Sequence, residues 1–328
     1  GQMLFDYFEP HFGSELGVEM AAEYFAFLSQ PSTGTSASML GTGSMSHLSM
    51  SSGHDERNRF MSHLLVKVPE RLLTKMLIGD IFDRQNSYPM EAYISDNASG
   101  GGVDRIMRMA ARIADEQGAW NRAIVLHMRC KQYNRAVELV NNQLGQSIVE
   151  RSSSEAKKTH LRLAADILQW LAESGTKEKV DDRKLTTLHL LLDMEEFFQL
   201  AYNQNYDQAL QTNTAVLFPI SGDDVERSAK RQKFNQLEEP VTKNLDVLLV
   251  SYMGCLVKSY EDAVQKVQGG GGGWGTTTTR AYNDKRDETM RRAKALMNFA
   301  NHELPQQFRL KRETHEELTN LDMRIQYG

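Results

Sequence analysis

The chain has 328 residues, of which 40% are hydrophobic and 25% are charged, and its formal net charge is −5. This composition is ordinary for a globular protein, and the acidic balance argues against a nucleic-acid-binding surface, which usually carries a basic patch. The strongest local basic cluster, at 285–294, is interleaved with Asp and Glu. We therefore interpret that cluster as the solvated face of a helix.

Helix-favouring sequence alternates with stretches that are rich in Gly, Ser and Thr, which cannot bury enough apolar surface to order themselves. The chain starts with Gly1-Gln2-Met3 and enters an apolar segment at once, as if it continued from a longer protein. The predicted segments are a helical pair at 1–29 that continues from a missing N-terminal part, a low-complexity loop at 30–54, helices at 55–82, an irregular loop at 83–102, a main helical solenoid at 103–268, a Gly- and Thr-rich spacer at 269–283 and C-terminal helices at 284–328.

Helix start and stop signals define the elements in chain order. Ser14 suits an N-cap, Pro69 suits a first helical turn, and Gly118 suits a helix end. Apolar residues recur at helical spacing between 103 and 114, and no segment shows the alternation of a strand. The predicted helices are 2–9, 14–29, 55–67, 69–78, 103–117, 119–131, 132–144, 155–173, 180–202, 205–213, 223–234, 236–268, 284–303 and 305–325. The sequence therefore predicts an all-α fold.

Two octets, AWNRAIVL at 119–126 and QYNRAVEL at 132–139, are near-copies of one another. In each, an aromatic residue and an Ala three positions later lie on one helix face. We expect the aromatic to fill the gap to a neighbouring helix, while Ala allows close approach. Looser copies are NYDQAL at 205–210 and SYEDAV at 259–264. The octets are too close for a regular repeat of about 34 residues, so they predict an irregular α-solenoid of stacked antiparallel helices.

No motif in the sequence requires catalysis, a metal or a cofactor. The two cysteines, Cys130 and Cys255, lie in apolar stretches and predict buried free thiols in a reducing compartment. His127 and His189 also lie in apolar helical segments and favour a structural role. The acidic pair Glu195 and Glu196 points about 100° apart on a helix, not across a cleft. No apolar run reaches the ~18–20 residues of a membrane span.

The segment from Arg105 to Gln146 resembles the signature of the nucleoporin interacting component family, the linker nucleoporins of the nuclear pore inner ring. The segment HLLLDMEEFFQLAYNQNYDQAL at 189–210 resembles the next part of the same pattern. Within the first segment Glu116, Val137, Asn141 or Asn142, and Leu144 also match. The structural signature residues that we select are Gly118, Trp120, Ala123, Tyr133, Ala136, Leu139, Asp193, Phe197, Phe198, Tyr206 and Ala209. The chain resembles the carboxy-terminal helical part of such a protein.

The resemblance implies a J-shaped or folded-back α-solenoid, related to vesicle-coat proteins. It implies a scaffold of the nuclear pore complex at the nuclear envelope, which bridges neighbouring inner-ring nucleoporins and supports pore assembly and nucleocytoplasmic transport. It also implies that a short linear motif of an adaptor nucleoporin binds the solenoid, although it assigns no contact residues. No catalytic residue, cofactor, metal, nucleic acid or transmembrane segment is expected.

Two alternatives remain open at the level of sequence. The first is a helical subunit of another assembly, of the vesicle-coat or proteasome-lid type. The lid type should end in a winged helix with a small β-hairpin, and residues 280–328 show no strand pair. The second is an enzyme on a helical scaffold, which would need a converging polar pocket.

Overall fold

A computed structural model gives the fold. It describes residues 6–29, 50–79, 89–90, 102–149, 155–213, 217–218, 223–269, 276–304, 308 and 310–327. Within these ranges every regular element is a helix, which confirms the all-α prediction. The chain divides into two compact units, the first made of Gly1–Leu139 and Ile167–Lys179, the second of Val140–Asp166 and Val180–Gly328.

Fourteen α-helices have both of their ends within the described residues. The first seven α-helices are α1 (Glu15–Ser29), α2 (Met50–Lys67), α3 (Glu70–Leu72), α4 (Gly102–Glu116), α5 (Trp120–Arg129), α6 (Tyr133–Ser147) and α7 (Glu155–Glu173). The next seven are α8 (Asp182–Tyr202), α9 (Tyr206–Ala209), α10 (Asp224–Phe234), α11 (Glu239–Thr242), α12 (Leu245–Gly269), α13 (Thr276–Asn298) and α14 (Arg312–Tyr327). π-Helical turns continue α3 over Leu73–Ile78 and α13 over Phe299–Glu303, and short 3₁₀ turns span Glu9–His11 and Lys177–Lys179.

The helix ends test the predicted caps. The Ser14 hydroxyl accepts a hydrogen bond from the Gly17 amide at 3.1 Å, which confirms it as a cap of α1. Gly118 has a φ of +70°, and its amide donates to the Asp115 carbonyl at 3.0 Å, so it closes α4 as predicted. Pro69 occupies the N-cap of α3, with a ψ of 144°. Our placement of Pro69 inside the first turn is therefore wrong by one position.

Several predicted bounds differ from the structure. The predicted helix 236–268 is two helices, because the Asn244 side chain donates to the carbonyls of Gly145 at 2.7 Å and Pro240 at 2.9 Å and redirects the chain. Helix α13 begins at Thr276, so residues 276–283 are helical and not spacer, and α2 includes residues 50–54 of the predicted loop. The predicted helix 205–213 ends at Ala209, and 305–325 begins only at Arg312.

Parts of the predicted segments lie outside the residues that the structure describes. The remainder of the low-complexity loop (30–49), the end of the predicted helices (80–82), most of the irregular loop (83–88 and 91–101) and the Gly run (270–275) lie outside the described residues. Apart from the corrected helix bounds, the predicted division of the chain into segments stays a prediction.

The first unit is built around α4, which packs against α2 and α5. Its inner face consists of Ile106, Met107, Ala110, Ala111 and Ala114, all fully buried. Small alanines on this face let the neighbouring helix backbones approach closely. The 3.6-residue periodicity that predicted this helix therefore also identified its buried stripe.

The second unit has an aromatic core around α12, which packs against α8, α9, α13 and α14. The Phe218 and Tyr252 rings lie 4.9 Å apart, and the Phe234 and Phe299 rings lie 5.0 Å apart. Full burial of each such side chain contributes about 1.5–3 kcal/mol. Phe197 extends the cluster, with its ring 6.3 Å from that of Tyr252.

Helix α7 buries a different stripe from the one that the sequence suggested. We expected Leu161, Ala164, Ala165, Leu168 and Leu171 to face inward; Ala164 and Leu171 are buried, Leu161 and Leu168 are half-buried, and Ala165 is exposed. Lys157 and Ile167 complete the buried face. The buried stripe therefore includes Lys157, which periodicity assigns to solvent, and it is rotated around the helix relative to the predicted stripe.

We expect Ala136→Leu to lower the free energy of unfolding by about 1–3 kcal/mol, because Ala136 is fully buried in α6 and added methylenes overpack a close helix contact. Urea denaturation followed by far-ultraviolet circular dichroism measures the shift of the midpoint. The matched control is Ala165→Leu at the exposed site in α7, which should change stability by less than about 0.5 kcal/mol. Equal effects of the two variants would contradict the packing assigned to Ala136.

Candidate interaction site

The two octets are only partly alike in their packing. In the second, Tyr133, Ala136 and Leu139 are all buried, as predicted. In the first, Ala123 is fully buried, but Trp120 is 37% exposed. Trp120 is the first residue of α5, and its ring lies over Gly118 at the end of α4. The prediction that this aromatic fills a gap between helices is therefore wrong.

The arginine that the two octets share makes contacts that the sequence analysis missed. Arg122 donates through Nη1 to the carbonyls of Leu65 at 2.9 Å and Val68 at 2.6 Å, at the end of α2. Such a cation satisfies carbonyls that lack an intrahelical partner and complements the helix dipole. The only available signal was that Asn-Arg-Ala recurs in both octets.

Arg135 has the corresponding position in the second octet. Its Nη2 lies 2.7 Å from the Asp115 carboxylate near the end of α4, and its Nη1 lies 2.5 Å from Glu138. Each octet arginine thus connects its own helix to the C-terminal end of an earlier one. The repeated motif therefore encodes a helix-to-helix attachment in addition to apolar packing.

The second signature segment combines core and half-buried residues. Phe197, Phe198 and Ala209 are fully buried, whereas Asp193 and Tyr206 are half-buried. Asp193 accepts a long hydrogen bond of 3.5 Å from the Asn213 side chain. These positions serve packing in the second unit, and their role as a family signature stays a prediction.

The potentially reactive side chains are in inert environments. Burial raises the pKa of Cys130 and of Cys255 to about 12, so both remain neutral thiols at physiological pH, as expected for buried cysteines. His127 is buried, its Nδ1 lies 2.7 Å from Oε1 of Gln132, and burial lowers its pKa, so the ring is neutral at pH 7. His189, which we also expected to be structural, is exposed.

The adjacent carboxylates of Glu195 and Glu196 lie in different environments. Glu195 is buried and its carboxylate lies 2.8 Å from the Lys157 ammonium, while Glu196 is exposed. Among the described residues, no group of three or more His, Cys, Asp and Glu could hold a metal ion. The buried Glu195 carboxylate is therefore part of an ion pair within the second unit.

A groove of about 740 Å³ in the first unit is lined by six arginine and lysine side chains. We call it the basic groove. Arg105, Arg108 and Arg112 of α4 line one side, and Lys131 lies on another side, in the turn between α5 and α6. Tyr133, at the start of α6, supplies an apolar surface. The groove thus offers cations around an aromatic surface.

A second groove, of about 600 Å³, lies between α12 and α14 in the second unit. Its lining includes Tyr260, Val264, Met323 and Tyr327, so it is largely apolar. Met323 is 45% exposed and Tyr327 is 84% exposed. Exposed apolar side chains next to a groove are typical of surfaces that contact other proteins.

The comparison with protein families covers almost the whole chain. The family model described as Nup93/Nic96 matches residues 1–317. The chain belongs to the Nup93/Nic96 family. This membership confirms the resemblance that the segments 105–146 and 189–210 indicated.

Two curated relatives illustrate the match within the Nup93/Nic96 family. The chain is 24% identical over 221 residues to "Nuclear pore complex protein Nup93" of Xenopus tropicalis, across 66% of this chain and 26% of the relative. It is 24% identical over 232 residues to "Nucleoporin NIC96" of Saccharomyces cerevisiae, across 67% of this chain and 26% of the relative. The chain therefore spans about a quarter of the length of the curated relatives that it matches.

A solved structure supports the fold of this Nup93/Nic96 family member. "Crystal Structure of Chaetomium thermophilum Nic96 SOL" superposes with a TM-score of 0.67 at 18% identity, over 82% of this chain and 41% of that chain. At this identity the similarity establishes the fold alone, a helical solenoid. Among the described residues, no helix is long and apolar enough to cross a membrane.

Proposed function

We propose that this chain is part of a structural scaffold in the inner ring of the nuclear pore complex, where it bridges other nucleoporins at the nuclear envelope and has no catalytic activity. The observation that carries the proposal is the match of the Nup93/Nic96 family to residues 1–317. The relatives from frog and yeast are named as a nuclear pore complex protein and a nucleoporin.

The partners that we propose are neighbouring inner-ring nucleoporins and a short linear motif of an adaptor nucleoporin. Stacked helices present grooves that accept a helix or an extended peptide of another protein. The basic groove and the groove between α12 and α14 are surfaces of this kind. A scaffold of this type supports pore assembly and, through it, transport of protein and mRNA.

The described C-terminal residues favour the pore scaffold over a proteasome-lid subunit. Helices α13 and α14 account for most of residues 276–327, and the described part of this region contains no strand. A winged-helix module would require a β-hairpin. The structure therefore supplies no feature that favours the alternative.

Localisation of the full-length protein that contains this chain tests the proposed function. We expect the fluorescently tagged protein to give a punctate rim at the nuclear envelope and to co-purify with inner-ring nucleoporins. The tag alone serves as the control. A Golgi or diffuse cytoplasmic distribution, without nucleoporins in the purified material, would contradict the proposal.

A further inference from the structure

The basic groove has a row of three arginines on one face of α4. Arg105, Arg108 and Arg112 are spaced three and four residues apart, which places them one above another on a helix. The Arg108 side chain is 59% exposed and the Arg112 side chain is 72% exposed. Lys131 and Lys179, which also line the groove, are exposed as well. The cations therefore surround the groove and are accessible to a ligand.

Three of the arginines at the groove have carboxylate partners. Asp104 lies 3.8 Å from Arg108, Glu116 lies 3.5 Å from Arg112, and Arg135 is paired with Asp115. Six arginine and lysine side chains line the groove, and its lining residues include no Asp or Glu. The lining of the groove is therefore positively charged, although the whole chain carries a net charge of −5.

The surface between the cations is apolar and held in place. Tyr133 is 6% exposed, and its ring packs on Trp170 with the ring centroids 5.4 Å apart. Met109, half-buried in α4, lies beside it in the lining. Buried His127 also lines the groove, and its Nε2 lies 3.8 Å from Asp115, beyond hydrogen-bonding distance. A ligand would therefore meet a preformed floor.

We propose that the basic groove binds an acidic peptide segment of a partner protein, with Asp or Glu side chains on Arg105, Arg108, Arg112, Lys131 and Lys179 and an apolar side chain over Met109 and Tyr133. The proposal rests on the proposed function, because a scaffold's partners are proteins. The groove's volume of about 740 Å³ suits a short segment.

The charge balance favours an unmodified acidic peptide over a nucleic acid. Nucleic-acid binding requires the neutralisation of many phosphates by a strongly basic surface. Six cations at one groove of an acidic protein are too few for that purpose, but they complement a few carboxylates. Complementary charge of this kind selects the partner and accelerates its association.

Fluorescence anisotropy with a defined probe tests the proposal on the 328-residue chain. The probe is a short fluorescein-labelled peptide of Glu, Asp and Leu. We expect it to bind, and we expect the same peptide with Gln and Asn in place of Glu and Asp to bind at least about tenfold more weakly. Affinity for the acidic peptide should also fall when the ionic strength is raised to about 0.5 M.

A pair of matched variants locates the binding site. Lys131→Glu combined with Lys179→Glu should weaken the binding of the acidic peptide about tenfold. Arg59→Glu combined with Arg71→Glu makes the same change of net charge at exposed positions of the first unit outside the groove, and should leave the affinity unchanged. The neutral pair Lys131→Gln and Lys179→Gln should have an intermediate effect. Circular dichroism of each variant verifies the fold.

Three results would overturn the assignment. These are equal weakening by both Glu pairs, binding of the neutral peptide as tightly as the acidic one, and binding only of a phosphoserine version of the neutral peptide. If one of these results is obtained and the tagged protein still gives a rim at the nuclear envelope, peptide binding by the basic groove is rejected and the proposed function is retained. Groove-dependent binding by a protein that does not localise to the pore would instead reject the proposed function.

Discussion

Replacing Glu195 with Ala is expected to lower the free energy of unfolding by about 3–5 kcal/mol. The Glu195 carboxylate lies 2.8 Å from the Lys157 ammonium, and the Lys157 side chain is only 1% exposed. Lys157 also donates to the Ile148 carbonyl at 3.2 Å. Without Glu195 the ammonium would be a buried charge without its counter-ion, which is one of the most destabilising changes available to a folded protein.

Two further variants separate loss of the ion pair from loss of packing. Glu196→Ala removes an exposed carboxylate at the next position of α8 and should change stability by less than about 0.5 kcal/mol. The double variant Lys157→Met with Glu195→Leu should recover most of the stability, because apolar side chains of similar volume often replace a buried ion pair without loss. Urea denaturation measures all three. A neutral effect of Glu195→Ala would contradict the buried pair.

Gly145→Ala is expected to be destabilising by about 1–3 kcal/mol, although Ala is the better helix former. A Cβ at Gly145 would lie 2.8 Å from the carbonyl oxygen and 3.0 Å from the Cα of Pro240. These are mostly backbone atoms, which cannot rotate away. Asn244 holds this approach in place through its hydrogen bonds to the carbonyls of Gly145 and Pro240.

Gly254→Ala is the matched control for this helix contact. Gly254 lies within α12, and a Cβ there would meet nothing within 4 Å. The substitution should therefore stabilise the protein by about 0.5–1 kcal/mol, since it lowers the entropy of the unfolded chain and favours the helix. Thermal denaturation of the two variants should give shifts of opposite sign. A stabilising Gly145→Ala would show that α6 does not approach Pro240 closely.

The sequence predicted elements best where local physics determines them. Gly118 ends α4 because glycine adopts the left-handed backbone conformation without steric strain. Ser14 caps α1 because its hydroxyl accepts a hydrogen bond from the backbone amide of Gly17. The stripe around Ala110 repeats with the period of a helix that has one buried face. The second octet, with Tyr133 and Ala136 both buried, follows the same rule.

The side-chain contacts between distant segments could not be predicted in this way. Arg122 binds carbonyls at 65 and 68, and Lys157 pairs with Glu195, so each contact joins residues tens of positions apart. A lysine has the same sequence pattern whether it is solvated or buried. The difference is decided by which carboxylate the folded chain brings within reach.

For the candidate site, too, some features could be predicted from the sequence and others depend on the tertiary structure. Sequence alone determined an all-α solenoid, the absence of catalytic motifs and the family, because helical period, cap chemistry and signature residues are local. The net charge of −5 indicated an acidic chain, and the sequence predicted no basic binding surface. Only the tertiary structure brought the arginines of α4 together with Lys131 and Lys179, because a groove exists only between packed elements. Net charge is a sum over residues, whereas a binding surface depends on where folding places them.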